Sequence, residues 1–426
     1  MVGAQSDAAQ FLIHHDASLF TAILPQERPP FKLAGSRPGL AIDPGRRSGY
    51  GGALANAVIL QLPIPAPDPI PLPAPVWLLK FLLLFTFVLH ILAMNLALGG
   101  GVLAAVNHWR GRKKKSSPHR RLARTLGEQL PVALALTITL GIAPLLFVQV
   151  LYGQFFYTSS ILLGWWWLGT LGFLLVGYYG YYWYNFRWEK LGDRGAWVIT
   201  ASVLVLSAIP AIFTHNVTLM LQPERWQAMV AQGLHGNWSD PAVLPRYLHF
   251  LTAAVAVAGL SVFLYGLATR GREAEYGRWV QRTGGAWFIG ATLVQYGVGV
   301  WFLLSLPRNI WTLFLGERAS ATAVLLTAIF LSLVAIILVL VSMMAARPTL
   351  PGLGGVVALM GTVSLMAVAR DIVRDAYLAP YFRASDLAVV PQWSVVLLFV
   401  ALLVAGLGVV GYLLRMVYRG RGASYA

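Results

Sequence analysis

Cysteine is absent from the 426 residues of this chain, and charged side chains are scarce. Without a thiol the chain has no disulfide, no thiolate metal site, no cysteine nucleophile and no covalently attached c-type haem. Only 11% of the residues are charged, against about 25% in a typical soluble domain, and 58% are hydrophobic. A soluble fold has too little interior to bury this much apolar surface. The composition excludes an ordinary soluble enzyme and favours a bilayer as the solvent.

The sequence contains long apolar segments. A window of about 19 residues, enough to cross a bilayer core of about 30 Å, finds nine of them. They lie near residues 76–109, 129–153, 159–185, 196–221, 246–269, 284–306, 321–346, 352–377 and 393–415. The strands of a membrane barrel would be shorter and would alternate apolar with polar residues. The sequence therefore predicts an all-α integral membrane protein with about nine transmembrane helices.

Basic residues outnumber acidic ones, 32 to 16, and they are unevenly distributed along the chain. The loops after the odd-numbered spans and the C-terminal tail hold 19 Lys and Arg, eight of them within 110–124, whereas the opposite side holds seven. Basic loops stay in the cytoplasm, which predicts an outside N-terminus and a cytoplasmic C-terminus. Sidedness and attraction to anionic membrane lipid account for the net charge of +16. We expect no nucleic-acid partner.

The chain divides into three parts by composition. Residues 1–75 are rich in Pro and Gly and contain a polyproline-like stretch at 63–75. They are expected to be a disordered extension, or an upstream stretch included by start-site misassignment, and no secretory signal is evident in them. Residues 76–418 form the predicted membrane domain, and residues 419–426 form a basic cytoplasmic tail.

Three histidines lie within or at the edges of the apolar spans. His90 lies about 14 residues into the first span, which at about 1.5 Å per residue is near mid-membrane. His215 and His249 lie toward the outer ends of the fourth and fifth spans. Imidazole is a common metal ligand and holds haem iron axially. The alternative is that each ring only hydrogen-bonds to a neighbouring helix.

Three arginines lie near these histidines or at the same side of the membrane. Arg246 precedes His249 by one turn and reaches the same face, where a cation suits a haem propionate. Arg370 and Arg374 share a helical face in RDIVRD (370–375), with Asp371 and Asp375 as acidic partners. The cluster suits propionates, a quinone head group or a protein partner. The alternatives are a snorkelling Arg246 and a self-neutralised, solvated helix end.

Three segments resemble subunit I of the cytochrome bd quinol oxidases. Residues 87–109, FVLHILAMNLALGGGVLAAVNHW, resemble the first helix of that family. Residues 140–160, LGIAPLLFVQVLYGQFFYTSS, resemble the second helix and the following loop. Residues 245–266, PRYLHFLTAAVAVAGLSVFLYG, resemble the fifth helix. The number and orientation of the spans also resemble the family over residues 76–418.

The resemblance implies that His90 ligates a high-spin haem b and His249 a low-spin haem b. The chain also departs from the family, because the family's glutamates on helices two, three and eight have no counterpart. The outside loop that helps to oxidise quinol shrinks to about 306–320, and the methionine that completes the low-spin haem is missing. His215, at the depth of His249, is our hypothesis for the missing sixth ligand.

These features predict a cytochrome bd-like membrane cytochrome b in the bacterial inner membrane. One or two haem b groups, with a quinone as a further candidate cofactor, are the implied cofactors. Electrons would pass between the quinone pool and other respiratory subunits or a c-type cytochrome. Two alternatives stay open: a divergent quinol oxidase whose missing groups come from a partner, and a haem-free structural or transport subunit that retains the fold.

Overall fold

The computed structural model of the chain describes residues 64–68, 70–114, 116–233 and 235–423. Most of the predicted N-terminal extension, residues 1–63, lies outside the described residues, as do the last three residues of the predicted tail. The described part is helical throughout its membrane domain. Its remaining regular structure is a single bridge between Leu72 and Val389.

Nine long helices follow one another along the described chain. We label them α1 to α9: Val76–Gly111, Pro118–Leu163, Trp165–Phe186, Gly195–Met220, Val243–Thr269, Ala274–Ser305, Ala319–Met344, Thr349–Leu378 and Trp393–Ala423. Local chemistry explains some of the boundaries. α1 begins directly after Pro75, and α2 begins after Ser117, whose hydroxyl accepts the Arg120 N–H at 3.3 Å with Pro118 in the first turn.

Within the described residues, eight helices are long and apolar enough to cross a membrane, which confirms an all-α, multi-pass membrane protein. Among the described helices of at least 22 residues, α3 is the one whose mean hydropathy is too low for a membrane span by this criterion. Its sequence is crowded with Trp and Tyr, whose N–H and O–H groups make a segment less apolar. The structure therefore supports eight spans by this criterion rather than nine. The predicted orientation stays a prediction.

The centre of the bundle is α1, which packs against α2, α4, α5 and α8. Small residues allow the closest approach. A Cβ at Gly99 would collide with the backbone carbonyl of Ala254 on α5, and a Cβ at Gly101 would collide with the Tyr181 hydroxyl. Because Gly99 lacks that atom, α1 and α5 come into backbone contact, and Gly101 leaves room for Tyr181 of α3. In contrast, α9 buries no residue between Trp393 and Tyr412.

Candidate cofactor-binding site

His90 is held by the helix next to its own. Its Nδ1 lies 3.0 Å from the backbone oxygen of Thr137 on α2. A carbonyl oxygen accepts but never donates, so Nδ1 carries the proton and Nε2 keeps its lone pair. Histidines that ligate metals are oriented by this kind of bond through the second ring nitrogen. Gly141 leaves room for the ring, because a Cβ there would come within 2.9 Å of His90 Cε1 and Nδ1.

His249 lies on α5 with a ring that has no polar partner in the described chain. Its Nδ1 is buried and makes no hydrogen bond. The ring lies beside Phe302, with the centroids 6.0 Å apart, and Gly299 faces its edge at 3.5 Å from an ideal Cβ position. The backbone is well fixed, because Gln295 Nε2 donates to the His249 carbonyl at 3.0 Å. A buried, unsatisfied imidazole is costly unless something else binds it.

His215 lies at the depth of His249, as the sequence indicates. Arg246 Nη1 donates to Thr218 Oγ1 at 2.9 Å, and both histidines lie three residues deeper on antiparallel helices. The His215 ring packs on Trp238, with centroids 3.9 Å apart, and its buried Nδ1 has no partner. Among the described residues, no hydrogen bond or ring contact joins His215 to His249. A role for His215 as a second ligand stays a prediction.

Two buried arginines near these rings have no ion pair among the described residues. Arg246 is 6% exposed; its guanidinium donates to Thr218 and lies over the Phe302 ring at 5.1 Å. Arg370, partly buried, lies over the Phe87 ring at 4.5 Å and forms no hydrogen bond with the described residues. A buried cation without a counter-charge is expensive. Both guanidinium groups therefore favour an anion in their neighbourhood.

The same arginines connect the surroundings of the two histidines. Phe87, under Arg370, is one turn before His90, and Arg246 is one turn before His249. Arg370 is repelled by Arg246, and the charge of Arg370 also acts on His90. The position of His90 near mid-membrane stays a prediction; α1 has 36 residues, about 54 Å, and is longer than the bilayer core is thick.

The acidic residues of α8 are paired differently from the sequence expectation. Asp371 forms an ion pair with Arg374 and lies 3.5 Å from Lys80 Nζ, and Asp375 lies 2.5 Å from the same ammonium group. Arg374 is only 6% exposed, so this end of the helix is not a solvated, self-neutralised surface. Arg370 is left without a carboxylate partner in the described chain. The carboxylates neutralise Lys80 and Arg374 and leave Arg370 uncompensated.

Sequence analysis missed two members of this cluster, Lys80 and Tyr152. Tyr152 donates its hydroxyl to Asp375 Oδ1 at 3.2 Å, and the Arg374 guanidinium lies over its ring at 4.2 Å. Tyr152 also has the non-helical backbone (φ −139°, ψ 29°) at which α2 is kinked. Lys80 was detectable, because it is the one charged residue between Pro75 and Arg110 and an ionisable side chain in a span indicates a function. Nothing in the local sequence marked Tyr152.

The donor set fits a haem better than a bare metal ion. Within the described residues, no three His, Asp or Glu side chains converge to hold a metal. The region instead offers one imidazole with a fixed free nitrogen, one buried imidazole with an unsatisfied nitrogen, and two uncompensated guanidinium groups. A haem needs one or two axial nitrogens together with cations for its propionates. The residues present fit that group.

Comparison with known proteins supports the fold alone. No protein-family model matches the sequence, and no curated protein sequence matches it. Among solved structures, the chain is similar to the bd oxidase from Geobacillus thermodenitrificans, with a TM-score of 0.66 and 13% identity. The match covers 82% of this chain and 100% of that chain. The protein therefore has a cytochrome bd oxidase-like fold.

Proposed function

We propose that this protein is a membrane cytochrome b that transfers electrons between the quinone pool and a partner outside the bilayer. The observation that carries the proposal is the free Nε2 of His90, whose other ring nitrogen is engaged by Thr137 at 3.0 Å. His249 supports it with a buried ring nitrogen that has no partner. An unpartnered, buried ring nitrogen is not expected of a histidine that only joins two helices.

Each residue of the site has a separate task in this proposal. His90 and His249 each offer a nitrogen lone pair to one haem b iron, so that the chain holds one or two haems. Arg246 and Arg370 offset the negative charge of propionates, whereas Arg374, predicted from the sequence for the same task, is already paired with Asp371. The apolar helices around them exclude water and lower the local dielectric, which strengthens these charge interactions. When bound, the haem supplies one-electron redox chemistry at its iron.

The proposed haem chemistry also indicates which electron-transfer partners the protein needs. The chain has no cysteine, so a covalently attached haem must belong to another protein, such as a c-type cytochrome or a respiratory subunit. A quinone in the bacterial inner membrane is the proposed electron donor or acceptor on the membrane side. Spans two and three offer no carboxylate between Glu128 and Glu189 for delivering protons to a buried iron. This absence favours electron transfer over oxygen reduction.

Spectroscopy of the full-length protein purified from membranes tests the proposal. We expect reduced-minus-oxidised spectra of haem b and, by haem extraction, one or two haems per chain. His90→Ala and His249→Ala should each remove most of the haem bound at that position. His235→Ala is the matched control, because His235 is exposed and lies outside the site. If His215→Ala leaves the low-spin spectrum unchanged, the sixth-ligand hypothesis is wrong.

Two other results would overturn the proposal in favour of the alternatives. A purified wild-type protein that folds but holds no haem would indicate a structural or transport subunit. Haem d together with oxygen consumption would indicate a divergent quinol oxidase. Equal haem contents in the His90, His249 and His235 variants would show that the assigned ligands are wrong even if haem is present.

A further inference from the structure

An apolar groove opens along α5 and α6, and neither His90, His249 nor the arginines of the candidate haem site line it. Its volume is about 670 Å³, within the range of small-molecule sites, and its walls come from α1, α4, α5 and α6. On α6 it runs from Ala286 past Gly290 to Val294. An ideal Cβ at Gly290 would meet nothing within 4 Å, so this part of the groove is open space.

A second, charged depression continues the groove at its basic end. Its volume is about 520 Å³, and Arg278, Arg282 and Glu275 line it together with Trp279. The two depressions share Ala286 as a wall residue. Together they form what we call the α6 groove: an apolar channel that ends at charged groups on the side of the bundle that carries the basic loops.

The two arginines of the α6 groove are exposed and available to bind a ligand. Arg278 and Arg282 are exposed, and no ion pair to either is found among the described residues. They lie one turn apart on the same face, so both guanidinium groups can reach one phosphate. With Glu275 the three side chains sum to +1, which complements a single negative charge. A tryptophan beside them is typical of the membrane–water interface.

The polar groups at the opposite end are already satisfied. The Thr252 hydroxyl donates to Gln295, whose amide donates to the His249 carbonyl at 3.0 Å. The Ser207 hydroxyl donates to Leu204 O at 2.7 Å. The Thr252 and Ser207 hydroxyls, which line the groove, therefore have no donor left for the carbonyl oxygen of a quinone ring. The apolar end therefore suits a hydrocarbon chain, and the polar part of the ligand belongs at the arginines.

We propose that the α6 groove binds an anionic phospholipid, with its phosphodiester on Arg278 and Arg282 and an acyl chain along Gly290. The dimensions agree with this occupant. From Arg282 to Val294 is 12 residues, about 18 Å of helix, and half a bilayer core is about 15 Å. The proposal is independent of the haem assignment, because it uses none of the haem-site residues.

Thermal unfolding of the purified protein in detergent, with defined lipids added, tests the groove. Dioleoyl phosphatidylglycerol should raise the unfolding temperature and dioleoyl phosphatidylcholine should raise it much less. Each arginine near an anionic lipid accounts for about a fivefold change in affinity, so R278Q/R282Q should weaken phosphatidylglycerol binding about 25-fold. R187Q/R347Q is the control, because it removes two exposed arginines that do not line the groove.

A second pair of variants tests the acyl-chain channel. Gly290→Leu places a side chain in the open groove and should weaken phosphatidylglycerol binding about tenfold. Gly297→Leu is the matched control: it lies two turns further on the same helix face, beyond Val294, and its Cβ also meets nothing within 4 Å. Both substitutions change helix propensity equally. The haem spectrum should stay the same in all four variants.

Several results would overturn the proposal. Equal stabilisation by the two lipids would show that the charges do not select the ligand. An equal effect of inorganic phosphate would show an anion site that does not use the groove. Equal weakening by Gly290→Leu and Gly297→Leu would show that no chain lies in it. Displacement of the lipid by a long-chain quinone, insensitive to R278Q/R282Q, would assign the groove to quinone instead.

Discussion

His108 and His249 are both histidines on long helices, yet their surroundings differ completely. His108 is fully buried: its Nδ1 lies 2.9 Å from the Tyr184 hydroxyl and its Nε2 lies 3.1 Å from Gly192 O. In the described chain, neither ring nitrogen of His249 has such a bond. Residue type and burial are therefore not enough to identify a ligand histidine. The hydrogen-bond partners of its two nitrogens are what distinguish the two roles.

The arginines of the two regions differ in the same way. Arg120, next to His108, forms an ion pair with Asp193 at 2.9 Å. Arg370, near His90, has no carboxylate within 4 Å among the described residues. Around His108, residues of this chain satisfy both ring nitrogens and the charge of Arg120. These contacts hold α1 and α2 to the loop before α4. In the proposed function, the region around His90 and His249 is balanced only when a bound haem occupies the ring nitrogens and brings negative charge to the arginines.

The largest expected effect is the loss of stability on removal of the His108 side chain. His108→Ala removes two hydrogen bonds and a buried ring, which should lower the free energy of unfolding by about 3 kcal/mol. It should leave the haem content unchanged, the reverse of what we expect for His249→Ala. Thermal unfolding and haem extraction on both variants give the comparison. Loss of haem in the His108 variant at unchanged stability would contradict it.

Replacing an arginine by methionine should change the free energy of unfolding by a smaller amount, and in opposite directions in the two regions. Arg370→Met replaces an uncompensated buried cation with an apolar side chain, so the haem-free protein should gain about 2 kcal/mol of stability while haem binding weakens. Arg120→Met leaves the half-exposed Asp193 unpaired and should lose about 1 kcal/mol. Unfolding of the apo-proteins measures both changes. A destabilised Arg370→Met apo-protein would mean that Arg370 has a counter-charge within the chain.

The smallest effect concerns an exposed ion pair at the same end as His108. A hydrogen bond from Arg121 lowers the pKa of Glu273 below its ordinary value of about 4.5. The pair stabilises the protein above that pH and loses this contribution as the pH falls through the lowered pKa. Because both side chains are about half exposed, Glu273→Gln should cost less than about 0.5 kcal/mol at neutral pH. Unfolding curves of variant and wild type should converge in acid; a gap that widens there would contradict the assignment.

Part of the site was predictable because its signals are local. His90, His249 and Arg246 stand out as polar residues in apolar spans, and a membrane makes such residues conspicuous. Lys80 carries the same local signal, because it is a charged residue within the first apolar span. The pairing within residues 370–375 was not predictable, since Arg374 and Lys80 compete for the same carboxylates from two different helices.

The sequence by itself determined the all-α membrane fold, the approximate spans and the scarcity of carboxylates within them. Hydropathy and helical periodicity act over about 20 residues, so a single segment contains that information. The tertiary structure decided which nitrogen of His90 is free, which arginine lacks a counter-charge among the described residues, and where a groove opens along α6. Thr137 lies 47 residues from His90, and Asp371 lies 291 residues from Lys80. Contacts at such separations depend on how the helices pack, and no local pattern encodes them.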